Sequence, residues 1–354
     1  MTAIKGKLTA LSPLLIGSEE KGKLGYDFVV KEGMAYRVDI HKVVGKIGNQ
    51  ERVVNELVSK MMDRMNPFDM ASFLNDYKVP PDSVSMYGID SQITSAKSTY
   101  TVHFFIKDSV NRVYIPGSSI KGAIRTYTAA SKLLQNKKGK RVEDVGEEIF
   151  DLKKSFEQPW LELFQQNLKR RDPLIRDAKP TKSISDVLTL STIEIHTERG
   201  GTFRRQQGKI YGEFVKPGVE FDIEFGRIER NKLHGILTNV DAYCKKIGEM
   251  EEAFYSEYGK EENYQHIADF YKSSIRSSGD KEYIFRIGMG SSFLCTSLLP
   301  VLKVLGYKNA EEIFKKVLRG RRSPLAITVP DSRKLTSIGG SLYPIGWVKL
   351  TLQD

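Results

Sequence analysis

The sequence predicts an α+β protein built from two similar α+β units, and three observations lead to that expectation. Strand-like and helix-like stretches alternate in two blocks, roughly 1–140 and 185–354. Each block contains a glycine-rich turn leading from strand into helix, Ile115-Pro116-Gly117-Ser118-Ser119 in the first and Gly288-Met289-Gly290-Ser291-Ser292 in the second. Between them, residues 143–170 repeat Ile149, Phe150, Leu152, Phe156, Trp160, Leu163 and Phe164 at helical spacing, which reads as an inserted helical segment.

The elements follow in order. Residues 4–16 alternate loosely and form a first strand broken at Pro13, followed by a strand pair at 27–30 and 35–40. Val54, Leu57, Val58, Met61, Met62 and Met65 recur every three or four residues, predicting a helix over 51–65 with its methionines in the core. Asn66-Pro67 breaks it, and a short helix follows through Phe73 and Tyr77. Thr99–Ile106 is a strand. Val113–Ile115 is a short one that runs into a helix capped by Ser118 or Ser119, with Ile120, Ala123, Ile124, Tyr127, Ala130 and Leu134 as its apolar stripe. In the second block, 187–195 alternates and 211–225 has strand character around Lys216-Pro217-Gly218. A long helix runs through Tyr243 and Tyr258, a helix pair fills 294–318, and a last strand spans 346–352. The expected division is 1–142, a helical insertion and linker over 143–184, and 185–354. Each block has the content of an RRM- or ferredoxin-like unit.

The 354 residues include 40% hydrophobic and 28% charged side chains, enough apolar material for a packed core. No stretch approaches the roughly 20 apolar residues that span a bilayer, and no leader pattern opens the chain, so no membrane association is expected. Cys244 and Cys295 match neither a redox motif nor zinc-finger spacing, which fits a reducing cytoplasm and no metal or cofactor. The net charge is +11 and unevenly spread. Eight basic residues and no acid lie between Arg112 and Arg141, four more (Arg199, Arg204, Arg205 and Lys209) between 199 and 209, and five between Lys315 and Arg322. Acid-free clusters of this kind attract a phosphate backbone, whereas a merely solvated face intersperses both signs.

The most informative stretch is Ile115–Arg125. Gly117 permits a tight turn, the serines cap the helix, and the first-turn amides with the helix dipole make an anion site. Lys121 and Arg125, four apart, share one face and can reach a phosphate. An ordinary capped helix has the same appearance, and the Gly-Lys-Ser/Thr of an NTPase loop is missing.

This run resembles the strand-turn-helix motif of the RAMP superfamily, the repeat-associated proteins of CRISPR effector complexes. Arg286–Phe293 resembles the glycine-rich loop of the superfamily's second half, and Pro330–Leu335 with Gly346-Trp347 its closing segment. Ser332 stands where the usual pattern has threonine before the closing arginine. In order and length the features are most similar to the type III-A (Csm) subunits that cap the 3′ end of the guide RNA. The resemblance implies two RRM-like domains binding crRNA. It implies backbone contacts from Gly117, Ser118, Ser119, Lys121, Gly122 and Arg125, from Arg286, Gly288, Gly290, Ser291 and Ser292, and from Arg333 and Lys334 of the closing segment. Implied partners are crRNA, target RNA, neighbouring RAMP backbone subunits of a Csm complex, and a separate host nuclease trimming the crRNA 3′ end.

Arg199, Arg204 and Arg205 rest on charge alone. They lie between two strands, where a basic hairpin or finger can reach along guide or target RNA with Phe203 available to stack on a base; a solvated loop is the alternative. Metal-independent RNA cleavage needs an acid and a base, and of the scattered His41, His103, His196, His234 and His266 the best candidate is His41. Asp177 and Asp186 read as turn caps. The residues therefore favour RNA binding without catalysis. A metal-independent endoribonuclease acting on repeat RNA through His41 is the alternative, and a Cmr-type subunit a third reading.

Overall fold

Ile4, Leu8 and Ala10 point inward while Lys5 is exposed, so the first strand, β1 (Ile4–Ala10), buries one face through its period of two. The computed structural model describes residues 2–48, 51–63, 65–66, 68–94, 100–136, 173–206, 210–258, 262–275, 279–291, 293–297, 299–306 and 330–353. The expected insertion at 143–170, the cluster Lys315–Arg322, the end of the 294–318 helix pair and Ser292 lie outside the described residues.

After β1 come β2 (Gly17–Lys23) and the hairpin β3 (Phe28–Lys31) and β4 (Met34–Val38). Helices α1 (Ile40–Ile47), α2 (Glu51–Met62) and α3 (Met70–Asp76) precede β5 (Ser85–Ser91), β6 (Thr101–Phe105) and α4 (Gly117–Asn136). The second part holds β7 (Leu174–Ile175), β8 (Lys179–Pro180), a helical turn α5 (Ile184–Val187), β9 (Leu188–Arg199), β10 (Thr202–Arg205), β11 (Ile210–Val215) and β12 (Glu220–Gly226). It closes with α6 (Arg230–Tyr258), α7 (Glu262–Phe270), β13 (Glu282–Arg286), α8 (Phe293–Thr296), α9 (Leu299–Val304), β14 (Ser332–Ile338), β15 (Ser341–Pro344) and β16 (Trp347–Leu352).

Two sheets result, and the α+β class holds. The six-stranded sheet runs β13-β16-β1-β12-β7, with β8 also on β12. The ten-stranded sheet runs β2-β6-β11-β9-β5-β4-β3, with β10 and β14 on β9 and β15 on β14. Neither sheet is confined to one of the expected domains. β1 pairs with β12 and β16, β6 runs parallel to β11, and β5 runs parallel to β9, so the division into 1–142 and 185–354 cuts through both sheets.

Helices α4 and α6 pack on one another, and α6 also covers β13. Ile120, Ile124 and Tyr127 of α4 join Leu237, Tyr243 and Ile247 of α6 in the main core, as the α4 periodicity anticipates. A second, smaller core holds α1–α3 against Val29 and Val38. Asp39 and Asp69 start α1 and α3 by accepting backbone N–H groups of their first turns. Met62 and Met65, however, stand exposed, contrary to the expected core placement: Val53 and Leu57 define the buried face of α2, Met62 lies around the helix from it, and α2 ends at Met62, so Met65 falls beyond the helix that the spacing predicted.

Candidate nucleic-acid interface

The first glycine turn is built by close approach of two backbones. Ile115 bridges to Ala178, and a Cβ at Gly117 would lie 2.0 Å from the Ile175 carbonyl oxygen, so only glycine fits. The Gly117 amide, expected to be open to phosphate, donates instead to Asp177 Oδ1 at 2.9 Å. A carboxylate therefore already occupies this anion position at the start of α4, and Asp177 is the cap of that helix. What α4 presents outward is Ser118 and Gly122, both exposed, with Ser119, Lys121 and Arg125 half-buried beside them. A Cβ at Gly122 would meet nothing within 4 Å.

The second glycine turn is a crossing of three segments. A Cβ on Gly290 would sit 1.7 Å from the Ile345 carbonyl oxygen and one on Gly288, at φ 69°, 2.4 Å from that of Leu15. These glycines allow backbone packing, with Gly290 buried and Ser291 half-buried. Arg286, expected among the RNA ligands, is buried. Its Nε donates to the Ile345 carbonyl at 2.8 Å and its guanidinium lies 5.6 Å from the Trp347 ring centroid. Arg333 is likewise withdrawn from the surface: Nε donates to Glu251 Oε1 at 2.8 Å, Nη1 to the Pro330 carbonyl at 2.7 Å, and Phe254 lies beneath it at 4.1 Å. Both arginines brace the interior. The two glycine turns are joined by Tyr127 of α4, whose hydroxyl donates to the Arg286 carbonyl at 2.7 Å.

The basic stretch after β9 forms an antiparallel hairpin, β9–β10, closed by Gly200-Gly201 with φ 58° and 81°. Two successive left-handed residues give the tight turn that matches strand twist, and glycine adopts them without strain. The register sets Arg204 opposite Thr197 and Thr202 opposite Arg199. With Arg205 and Gln206 these four residues line an open groove of about 520 Å³ in which Arg199 and Arg204 are exposed. Gln206 Nε2 donates to Thr197 Oγ1 at 2.6 Å, fixing one wall. Phe203 points to the other side of the sheet. It is 2% exposed, its ring centroid 5.1 Å from those of Phe254 and Tyr264, so it anchors the hairpin in the core and cannot serve as the base-stacking platform expected of it.

Across β9 from β10, β14 sets Lys334 opposite Ile195, on the same face as Thr197 and exposed, while its neighbour Arg333 takes the buried face. His103 on β6 lies opposite Lys21 of β2. Partial burial, with Lys21 and Lys334 adding their positive charge, pushes the His103 imidazole below its ordinary range. The sheet surface at this end is thus electropositive. Thr197, Thr202, Gln206 and Lys21 are members that the charge clusters alone did not mark. Strict alternation from Arg199 back along β9 identifies Thr197.

The remaining histidines are dispersed. His41 is exposed at the start of α1, His196 is buried between Glu194 and Tyr264, His234 bonds Tyr283, and His266 packs edge-on to Tyr343. Among the described residues no group of three His, Cys, Asp or Glu is arranged to hold a metal, and no helix is long and apolar enough to cross a membrane.

A model of the RAMP superfamily matches residues 7–293, a span that includes the first glycine turn, the hairpin and most of both sheets. The chain belongs to the RAMP superfamily. Among curated relatives it is 25% identical to a Methanocaldococcus jannaschii protein described as CRISPR system Cms protein Csm5, over 98% of this chain and 88% of that one. It is 26% identical to a Streptococcus thermophilus protein of the same description, over 99% and 97%. Two solved structures share its fold. One is a chain of a Csm–crRNA–target RNA ternary complex of a type III-A CRISPR-Cas system, with TM-score 0.64 and 21% identity over 99% of this chain and all of that one. The other is T. onnurineus Csm5, with TM-score 0.67 and 20% identity over 97% and 99%. In this RAMP chain Gly117, Gly288 and Gly290 are points where backbones cross, and the hairpin carries Arg199, Arg204 and Arg205 exposed.

Proposed function

We propose that this RAMP protein is an RNA-binding subunit of a type III-A (Csm) effector complex that holds the 3′ end of the crRNA in the cytoplasm. The observation behind this reading is the groove of the β9–β10 hairpin, walled by Arg199, Arg204 and Arg205 with Thr197, Thr202 and Gln206, with no aromatic ring among the described residues that line it. Such a lining suits a sugar-phosphate backbone and offers no stacking platform, which favours sequence-tolerant binding. Lys334, Lys21 and the exposed side of α4, with Ser118, Lys121, Gly122 and Arg125, extend the surface available to RNA. The full-length similarity to proteins described as Csm5, and the fold shared with a chain of a crRNA-containing complex, support the assignment of partners. Those partners are crRNA, target RNA and neighbouring RAMP subunits, with a host nuclease trimming the guide beyond the cap.

The test is fluorescence anisotropy with a labelled single-stranded crRNA-like oligonucleotide over a salt series. Replacing Arg199 and Arg204 by alanine should flatten the log–log salt slope by about 1.4, roughly 0.7 for each lost phosphate contact to a single strand. Lys121→Ala/Arg125→Ala measures the share of α4. Crosslinking from 4-thiouridine at the last guide nucleotides, within the assembled complex, should reach this chain. Unchanged binding in the hairpin variant would remove the hairpin from the interface. RNA cut in EDTA, and left whole by His41→Ala, would instead establish the ribonuclease reading.

A further inference from the structure

Beneath the cationic groove lies a buried acid. Glu194 of β9 is 7% exposed, yet it faces three side chains: Oε1 lies 3.2 Å from Arg205 Nη1 and 3.3 Å from Thr192 Oγ1, and Oε2 lies 3.0 Å from His196 Nε2. His196 continues the chain through Nδ1 to the Tyr264 hydroxyl at 2.8 Å, and so to α7. The register places Arg205 directly opposite His196 on one side and Arg333 opposite it on the other. Arg333 is committed to Glu251, which leaves Glu194 as the counter-charge of Arg205. Burial pushes the Glu194 carboxyl up, but its bond to His196 and the charge of Arg205 outweigh this and hold it below the ordinary glutamate range, so it is an anion at neutral pH.

The three hairpin arginines are therefore unequal. All three are exposed, and they differ in that Arg205, 46% exposed along its side chain, is tethered from below by Glu194. An ion pair half-open to water adds little to folding stability, so the tether matters chiefly for the charge and posture of the guanidinium. We propose that Glu194 is a positioning residue that neutralises Arg205 and fixes it as the groove wall, leaving Arg199 and Arg204 as the cations that engage phosphate. This rests on the reading of the hairpin as the RNA interface.

The experiment uses the full chain, the same single-stranded oligonucleotide and four variants, Glu194→Gln, Arg205→Gln, Glu194→Gln/Arg205→Gln and Arg204→Gln. Glu194→Gln should tighten binding about fivefold at low salt and steepen the salt slope by about 0.7, the equivalent of one more available cation. That gain should vanish in the double variant, which should match Arg205→Gln alone. Arg205→Gln, compared at a temperature where its melting curve shows it folded because it leaves the buried Glu194 without its guanidinium, should flatten the slope clearly less than Arg204→Gln does. A purely structural role for Glu194 would lower the melting temperature without this dependence on Arg205. Equal slope losses in Arg204→Gln and Arg205→Gln, or unchanged affinity and slope in Glu194→Gln, would overturn the proposal while leaving the hairpin in the interface. No effect from any arginine variant would instead sink the hairpin reading, and the role of Glu194 with it.

Discussion

Arg286 is held on three sides: its Nε by the Ile345 carbonyl, its guanidinium face by Trp347, and its own carbonyl by the Tyr127 hydroxyl. Removing a buried, hydrogen-bonded and ring-stacked side chain leaves a void and an unsatisfied acceptor, so Arg286→Ala should cost about 3 kcal/mol in denaturant unfolding. RNA affinity per folded molecule should stay within about twofold, because the side chain cannot reach the surface. A large affinity loss without a stability loss would return Arg286 to the interface. His103 offers a second test at this scale. Its pKa is lowered in the fold by burial, then by Lys21 and Lys334, so the unfolded chain binds a proton more readily. Stability is therefore complete above the ordinary histidine pKa of about 6.5 and declines as pH falls below it, since protonation favours the unfolded state. His103→Asn should flatten the part of the pH 5–7 stability profile that this residue supplies. An unchanged profile would mean that neither burial nor the two lysines shifts this imidazole in the fold. Residue type and spacing showed that Arg286 and Arg333 are basic and near glycine turns. They did not show that partners distant in sequence, Ile345 and Glu251, draw both side chains inside.

At the scale of elements, α4 contains two glycines with opposite physical roles. Gly117 touches the Ile175 carbonyl, and Gly122 faces open space. A methyl at Gly117 must push the β7–β8 segment away from the helix start, so Gly117→Ala should destabilise by more than about 3 kcal/mol and release the Asp177 cap. Gly122→Ala replaces the poorer helix former at an unobstructed position and should stabilise by up to about 1 kcal/mol. If RNA or a partner backbone lies against Ser118 and Gly122, the same substitution should weaken that binding, so thermal stability and affinity would move in opposite directions. Stabilisation with unaltered affinity would take this face of α4 out of the interface. The existence of α4, its apolar stripe and the strand nature of 101–105, 188–195 and 347–352 were all legible from periodicity, while the continuation of β9 to Arg199 was not. The capping of its first amide was not, because Asp177 lies 60 residues away and a lone aspartate has no pattern. The exposure of Met62 and Met65 was equally hidden: helical spacing marks one face of α2 but says neither where its buried sector ends nor that the helix stops at Met62, short of Met65.

At the scale of the molecule, the pairing of strands rather than their number decides how the chain behaves. Alternation identifies a strand but carries no label for its partner, so two blocks of similar content read as two units side by side. The observed sheets interleave them. β1 needs β12 on one edge and β16 on the other, and β6 needs β11, so residues 1–142 made alone would expose both edges of β1 and one edge of β6. The helix α4 would also lose α6, against which Tyr127 and Ile124 are buried. A fragment of residues 1–142 should therefore lack a cooperative melt and fixed near-ultraviolet dichroism, as should 173–354, which loses β1 from the middle of its sheet. Mixing the two should restore both signals, since most of the severed contacts lie between the fragments. Denaturation of the full chain should show one transition in the near-ultraviolet and far-ultraviolet dichroism alike, because neither sheet can open without breaking the other's connections. A monomeric 1–142 fragment with its own sharp transition would mean that the first block closes on itself. The basic hairpin of β9–β10 would then sit on a domain free to move against it, and RNA bound by α4 and by the hairpin would contribute independently to affinity instead of as one rigid surface.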